Sequence, residues 1–132
     1  MEPDADEIDI VAAFGAAPAH GERFAIYVPN KDRNGNPVAQ RPWIDGALRL
    51  LSEVGGGATA MPPVTGAWLD PETGTLVVEE PVVVYVYIRP ADFVAHLSDL
   101  VSFVKRLGRE TGQGAVAIEW DGNFFTVEDF AE

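Results

Sequence analysis

The sequence contains no cysteine. That absence excludes disulfides, thiolate chemistry and every cysteine-based zinc or iron-sulfur site, and it fits a cytosolic protein. Histidine is nearly absent, with only His20 and His96, so a histidine-rich metal site is excluded by count. Basic residues are scarce: 9 Lys and Arg stand against 21 Asp and Glu, for a net charge of −12. Such a balance favours solubility and repels a nucleic-acid backbone. No apolar run approaches the roughly 18 residues of a membrane span, and the first residues are acidic with no apolar stretch of the secretory-signal kind.

What is present reads as one small α+β unit. A chain of 132 residues suits a single modest core. Residues 1–22 hold six carboxylates and no Lys or Arg, and read as an acidic, largely flexible N-terminal segment. Residues 23–132 read as the single α+β domain. Phe24–Val28 is a first strand, followed by a polar loop with turn chemistry at Asn34-Gly35. Pro42 suits the first turn of a helix carrying Trp43 or Ile44, Ala47, Leu48, Leu51 and Val54 as one apolar stripe, stopped by Gly55, Gly56 and Gly57. Ala58–Met61 reads as a strand edge.

The most informative stretch is Gly66–Arg89, read as two strands joined by the turn Asp70-Pro71-Glu72-Thr73-Gly74. From Leu76 to Ile88 nearly every residue is β-branched or aromatic apart from Glu79, Glu80 and Pro81, which predicts a long central strand with a bulge or edge register near the proline. Val82, Val84, Val86 and Ile88 face one way, Val83, Tyr85 and Tyr87 the other. Pro90 opens a second helix with Phe93, Leu97, Leu100, Val101, Val104 and Leu107 at core spacing. Last comes a hairpin, Val116–Trp120 and Asn123–Val127, around Asp121-Gly122. This order predicts a ferredoxin-like βαββαβ sandwich: an antiparallel sheet, two helices on one face and an added C-terminal β-hairpin.

Candidate chemistry is sparse. Glu79 and Glu80 are adjacent carboxylates in an apolar strand, so one of them is expected to be buried or at an interface, where acid-base work becomes possible. His96 lies four residues after Asp92 on the second helix and is the one histidine placed to pair with a carboxylate. These three are the catalytic candidates. Arg106, Arg109 and Gln113 form a polar cluster suited to a small anion. Asp32, Asn34 and Asn36 alternate as in the start of a calcium loop, but Pro37 and Trp43 stand where that motif needs Gly and Glu, and a plain polar turn is the better reading. No metal or cofactor is indicated. Tyr85 and Tyr87, with Trp68, offer aromatic surface on a sheet face that helices leave open, the kind of surface that becomes an interface.

Gly66, Trp68, Asp70, Gly74, Glu79 and the valines after Pro81 resemble the hairpin pattern of a bacterial family of small uncharacterised α+β proteins, a domain of unknown function. The resemblance implies a fold and no established activity. Taken together, these features predict a non-catalytic module that forms a homodimer or binds another protein, without nucleic acid or membrane. Two alternatives stand beside it. One is a small-ligand-binding protein or small enzyme using Glu79 or Glu80 with Tyr85 and Arg106. The other is an acidic immunity, antitoxin or inhibitor protein that offers carboxylates to a basic target.

Overall fold

The computed structural model describes residues 8–17 and 21–132. His20 and the first seven residues lie outside the described residues. Within the N-terminal segment, Ile10–Phe14 forms one helical turn (α1), capped by the Asp9 side chain and closed by Gly15 in the left-handed region.

Strand β1 (Glu22–Val28) alternates as its sequence requires. Phe24, Ile26 and Val28 are buried in the core, while Ala25 is equally buried on the opposite side of the strand. Helix α2 (Gln40–Gly55) buries Ile44, Ala47, Leu51 and Val54, the three-and-four spacing of one helical face. It ends where Gly56 takes φ 91° and its N–H bonds to the Ser52 carbonyl. Gly55 is needed for a second reason: a Cβ there would collide with the Val86 side chain and crowd the Tyr87 carbonyl. Strand β2 (Thr59–Ala60) is a short edge.

The expected long strand from Leu76 to Ile88 is two strands in two sheets. Strands β3 (Gly66–Leu69) and β4 (Leu76–Glu79) pair only with each other, as a separate antiparallel ribbon. Strand β5 (Val82–Ile88) belongs to the main sheet. The physical reason lies at the junction. Pro81 has no N–H for a ladder, the Glu80 N–H is diverted to Asn30 Oδ1 at 3.0 Å, and the Pro81 carbonyl accepts from the Val64 N–H at 3.0 Å.

The second helix is also divided. α3 (Pro90–Ala95) and α4 (Leu97–Glu110) meet at His96, whose backbone leaves helical geometry at φ −109°, ψ 11°. The hairpin β6 (Val116–Trp120) and β7 (Asn123–Val127) turns through Asp121 and Gly122 at φ 51° and 77°, the two positive angles that Asp-Gly is suited to supply.

The main sheet runs β2-β5-β1-β6-β7 with every neighbouring pair antiparallel. Both long helices lie on one face, and one cluster joins Ile44, Leu51, Leu100, Phe103 and Leu107 to Phe24, Ile26, Val28, Val84, Val86, Ile88 and Val116. Each fully buried side chain of this size stabilises the fold by about 1.5–3 kcal/mol. After β7 the chain crosses α4: Arg109 donates to the Phe130 carbonyl at 2.8 Å, Lys105 to that of Ala131 at 2.6 Å, and the Phe130 ring fills the space above Gly108. Among the described residues no helix is long and apolar enough to cross a membrane.

Candidate active site on the open sheet face

The sheet face without helices is built by register. One row crosses all five strands, from Thr59 through Tyr85, Ala25 and Glu119 to Phe124. The next residues on the same face are Arg23 opposite Tyr87 and Tyr27 opposite Val83. Ala25 and Val83 form a floor that is almost fully buried, and the longer side chains close over it. Tyr87 and Phe124 stay open to solvent, at 59% and 60% exposure. The rings meet edge to face: Tyr85 with Tyr87 at 6.0 Å, Tyr27 with Phe124 at 6.0 Å.

Glu119 is the chemically distinctive member. Strand alternation sends Ile118 and Trp120 toward the helices and Glu119 to the aromatic face. Its Oε2 atom is inaccessible to solvent and accepts no hydrogen bond. Arg23 Nε lies 3.6 Å away, close enough for an ion pair but too long for a good hydrogen bond. A carboxylate oxygen desolvated without a donor costs about 1–3 kcal/mol, so it is poised to take a donor or a cation from a ligand. The carboxylate also acts on Tyr27, whose phenol is raised above the usual tyrosine range, first by burial and then by the Glu119 charge, with Arg23 opposing and a weaker hydrogen-bonding interaction with the Glu119 side chain adding to the rise. Arg23 also stacks on the sheet face, its guanidinium carbon 4.1 Å from the Tyr85 ring centroid.

The residues singled out by sequence scatter around this face. Tyr85 and Tyr87 are on it. Arg106 is in the helical layer, 5.5 Å from the Trp43 ring centroid and paired with Glu110 at 3.4 Å, so the fold separates it from Tyr85 by the thickness of the sheet. Arg109 is spent on the Phe130 carbonyl, and Gln113 on the Lys31 and Thr111 carbonyls, so these side chains serve the end of α4 and the segments beside it and do not converge on an anion. Glu79 ends β4 opposite Gly66, half-buried in the ribbon, while Glu80 is exposed beside the break. Trp68 sits in the same ribbon opposite Val77, half exposed. His96 does not pair with Asp92, whose carboxylate binds Arg89 at 3.1 Å. In the polar loop the Asp32 carboxylate is occupied by the N–H groups of Asn34 and Asn36, at 2.8 and 2.9 Å, which hold it below the usual aspartate range.

Among the described residues, hollows lie on the helix side. One, about 190 Å³, is wholly apolar and runs between Leu97, Val101 and Lys105 on α4 and Ile118 and Val127 on the sheet. The other, about 250 Å³, is an open cleft bounded by Trp43, Phe103, Arg106 and Glu110. Neither contains an unpartnered polar atom of the kind found at Glu119.

Sequence reasoning passed over Arg23, Tyr27 and Glu119. A signal existed for two of them: Glu119 is the single charge of an otherwise apolar strand, and Arg23 directly precedes the apolar run Phe24–Val28, each on the parity that faces away from the helical stripes. Their meeting is decided by the antiparallel pairing of β1 with β6.

No family model matches the chain, and no curated protein matches it significantly. Among solved structures it is similar to a phage SAM lyase in complex with S-methyl-5′-thioadenosine, with a TM-score of 0.57 and 17% identity, over 83% of this chain and 90% of that one. The apo state of phage SAM lyase matches at a TM-score of 0.52, with the same identity and coverage. At that identity the likeness establishes a shared α+β fold. Both neighbours are enzymes, which overturns the expectation of a non-catalytic homodimeric or partner-binding module, the acidic-inhibitor alternative and the leaning away from catalysis. The physical reason is that Glu79 and Glu80 lie at the end of the β3–β4 ribbon, whereas the carboxylate on the open sheet face, Glu119, comes from β6.

Proposed function

We propose that this protein is an enzyme acting on an adenosyl sulfonium, cleaving a carbon–sulfur bond of S-adenosylmethionine to release S-methyl-5′-thioadenosine. The single observation that carries this reading is the Glu119 carboxylate, with one desolvated and unpartnered oxygen, set among Tyr27, Tyr85, Tyr87 and Phe124 on the open face of a sheet. Its support from outside the chain is the shared fold of the phage SAM lyase. A sulfonium is a soft, poorly hydrated cation, and it is attracted both by aromatic faces and by a carboxylate. Adenine stacks on exposed aromatic rings by the same physics that lets any base stack on tyrosine.

The chemistry follows from charge. As the bond between sulfur and the aminobutyrate carbon breaks, its electron pair returns to sulfur and the positive charge on sulfur disappears. A lyase adds no water, so the carbon fragment must close on its own carboxylate or shed a proton. A face with an aromatic, weakly polar floor favours loss of charge over its retention, while Glu119 orients the cation and is available to accept a proton. In this reading the sandwich is ferredoxin-like: the order β2-β5-β1-β6, with two crossover helices on one face, supports that topology, and β7 extends the sheet beyond it.

The test is direct. The purified protein incubated with S-adenosylmethionine is expected to release S-methyl-5′-thioadenosine, followed by reversed-phase chromatography. Glu119→Gln, which keeps shape but not charge, should lower kcat/KM by about 100-fold, on the scale of losing one charge-stabilising group. No thioadenosine from the native protein at high enzyme concentration would overturn the proposal.

A further inference from the structure

Arg23 is the only Lys or Arg within the five strands of the main sheet. Its guanidinium is 4.1 Å from the Tyr85 ring centroid and 3.6 Å from Glu119 Oε2. These are the two attractions that the face offers a cation: a π surface and a desolvated carboxylate. We infer that Arg23 is an internal stand-in for the ligand's cationic centre, so that a sulfonium enters by displacing the guanidinium from Glu119 and Tyr85. The inference rests on the sulfonium reading of this face.

The geometry suits exchange better than permanent pairing. Arg23 makes no hydrogen bond to Glu119 at that distance, and about a third of each side chain remains exposed, 35% and 29%. An ion pair of this kind contributes little net stability and is readily traded. Guanidinium is also weakly hydrated, which makes it a good tenant of an aromatic face and an inexpensive one to move aside. With Arg23 in place the face is neutral; with it displaced, only the Glu119 charge remains.

A consequence for turnover follows. The substrate carries the cation that replaces Arg23, whereas the thioether product is neutral at sulfur and cannot hold Glu119. Arg23 therefore returns to Glu119 as the charge vanishes, and the product is left without the ion pair that held the substrate. Arg23 acts as a positioning residue: its guanidinium competes with a cationic ligand for Glu119 and Tyr85 and leaves a neutral one unaffected.

The experiment compares two adenosyl ligands by isothermal titration. Sinefungin carries an ammonium near the sulfonium position and cannot undergo carbon–sulfur cleavage; S-adenosylhomocysteine is neutral at sulfur. Arg23→Gln is expected to bind sinefungin about tenfold more tightly than the native protein, with S-adenosylhomocysteine changed less than about twofold. Arg23→Lys, which keeps the charge but loses the planar stack, should fall between them. Arg41→Gln on the exposed surface of α2 makes the same change in net charge and should leave both affinities unmoved, which separates local exchange from bulk attraction. Thermal melts of each variant report folding, and the Lys variant carries the comparison if the Gln variant is unfolded. If the native protein cleaves S-adenosylmethionine but Arg23→Gln binds sinefungin no more tightly, or gains no more than Arg41→Gln, this inference falls alone. If the native protein neither cleaves the sulfonium nor binds sinefungin, the functional reading falls and takes this inference with it.

Discussion

The two faces of the main sheet are made from the same strands and do opposite things. On the helix-covered face Phe24, Ile26, Val84, Val86, Ile88 and Val116 are all buried and all apolar. On the open face the same strands present Arg23, Tyr27, Tyr85, Tyr87 and Glu119, partly exposed and unevenly paired. The first face stabilises the fold by burial; the second holds an imperfectly satisfied carboxylate that stability alone would not select. The contrast teaches where to look for function in a small domain: at the face whose polar groups are worse satisfied than they need be.

The comparison breaks most visibly under truncation. Leu51→Ala or Leu107→Ala, both at fully buried positions, should cost about 2–5 kcal/mol in urea unfolding, whereas Tyr87→Ala on the open face should cost well under half of that. Equal losses would mean that the open face is part of the core. Next in size, Gly55→Ala places a methyl group against Val86 and should cost about 1–3 kcal/mol by the same measurement; a neutral result would mean that α2 can slide on β5.

Smaller effects sharpen the difference between the faces. Glu119→Gln should shift unfolding free energy by less than about 1 kcal/mol in either direction, because a weak ion pair and an unsatisfied charge are removed together, even as activity falls. The same variant should lower the Tyr27 titration midpoint, read by ultraviolet difference spectroscopy, since the Glu119 charge is one of the causes that raise it. The sign on stability follows. A phenol whose folded value is raised contributes stability that is complete below the usual tyrosine range and is lost as pH climbs through the folded value. The smallest expected effect is at Asp32. Held below its usual range by the Asn36 and Asn34 N–H groups, it contributes stability present above that range and lost as pH falls through the folded value. Asp32→Asn should therefore flatten the acid limb of the thermal-stability profile slightly, and an unchanged limb would remove Asp32 from the account.

Much of the fold was legible because it is written in local periodicity. The stripe on α2, the Asp121-Gly122 turn and the pairing of Val116 and Ile118 with Val127 and Phe125 all follow from spacing that survives translation into contacts. Two breaks were less legible. Pro81 marked a disturbance, but whether it would bulge one strand or divide it depended on Asn30, fifty residues away, capturing the Glu80 N–H. His96 reads as an ordinary helical position, yet the chain leaves helical geometry there to start α4. The site was half legible. Tyr85 and Tyr87 stood out by alternation, whereas Arg23 and Glu119 stood out only as charges in apolar company.

The sequence by itself determined which residues turn inward and which outward on each strand, because side-chain alternation and helical pitch are local properties of the backbone. Tertiary structure decided which outward residues meet. Glu119 lies 96 positions from Arg23, and only the pairing of Ala25 with both Tyr85 and Glu119 brings carboxylate, guanidinium and ring onto one surface. Register across three strands is a long-range property, set by how the whole apolar face packs against its helices.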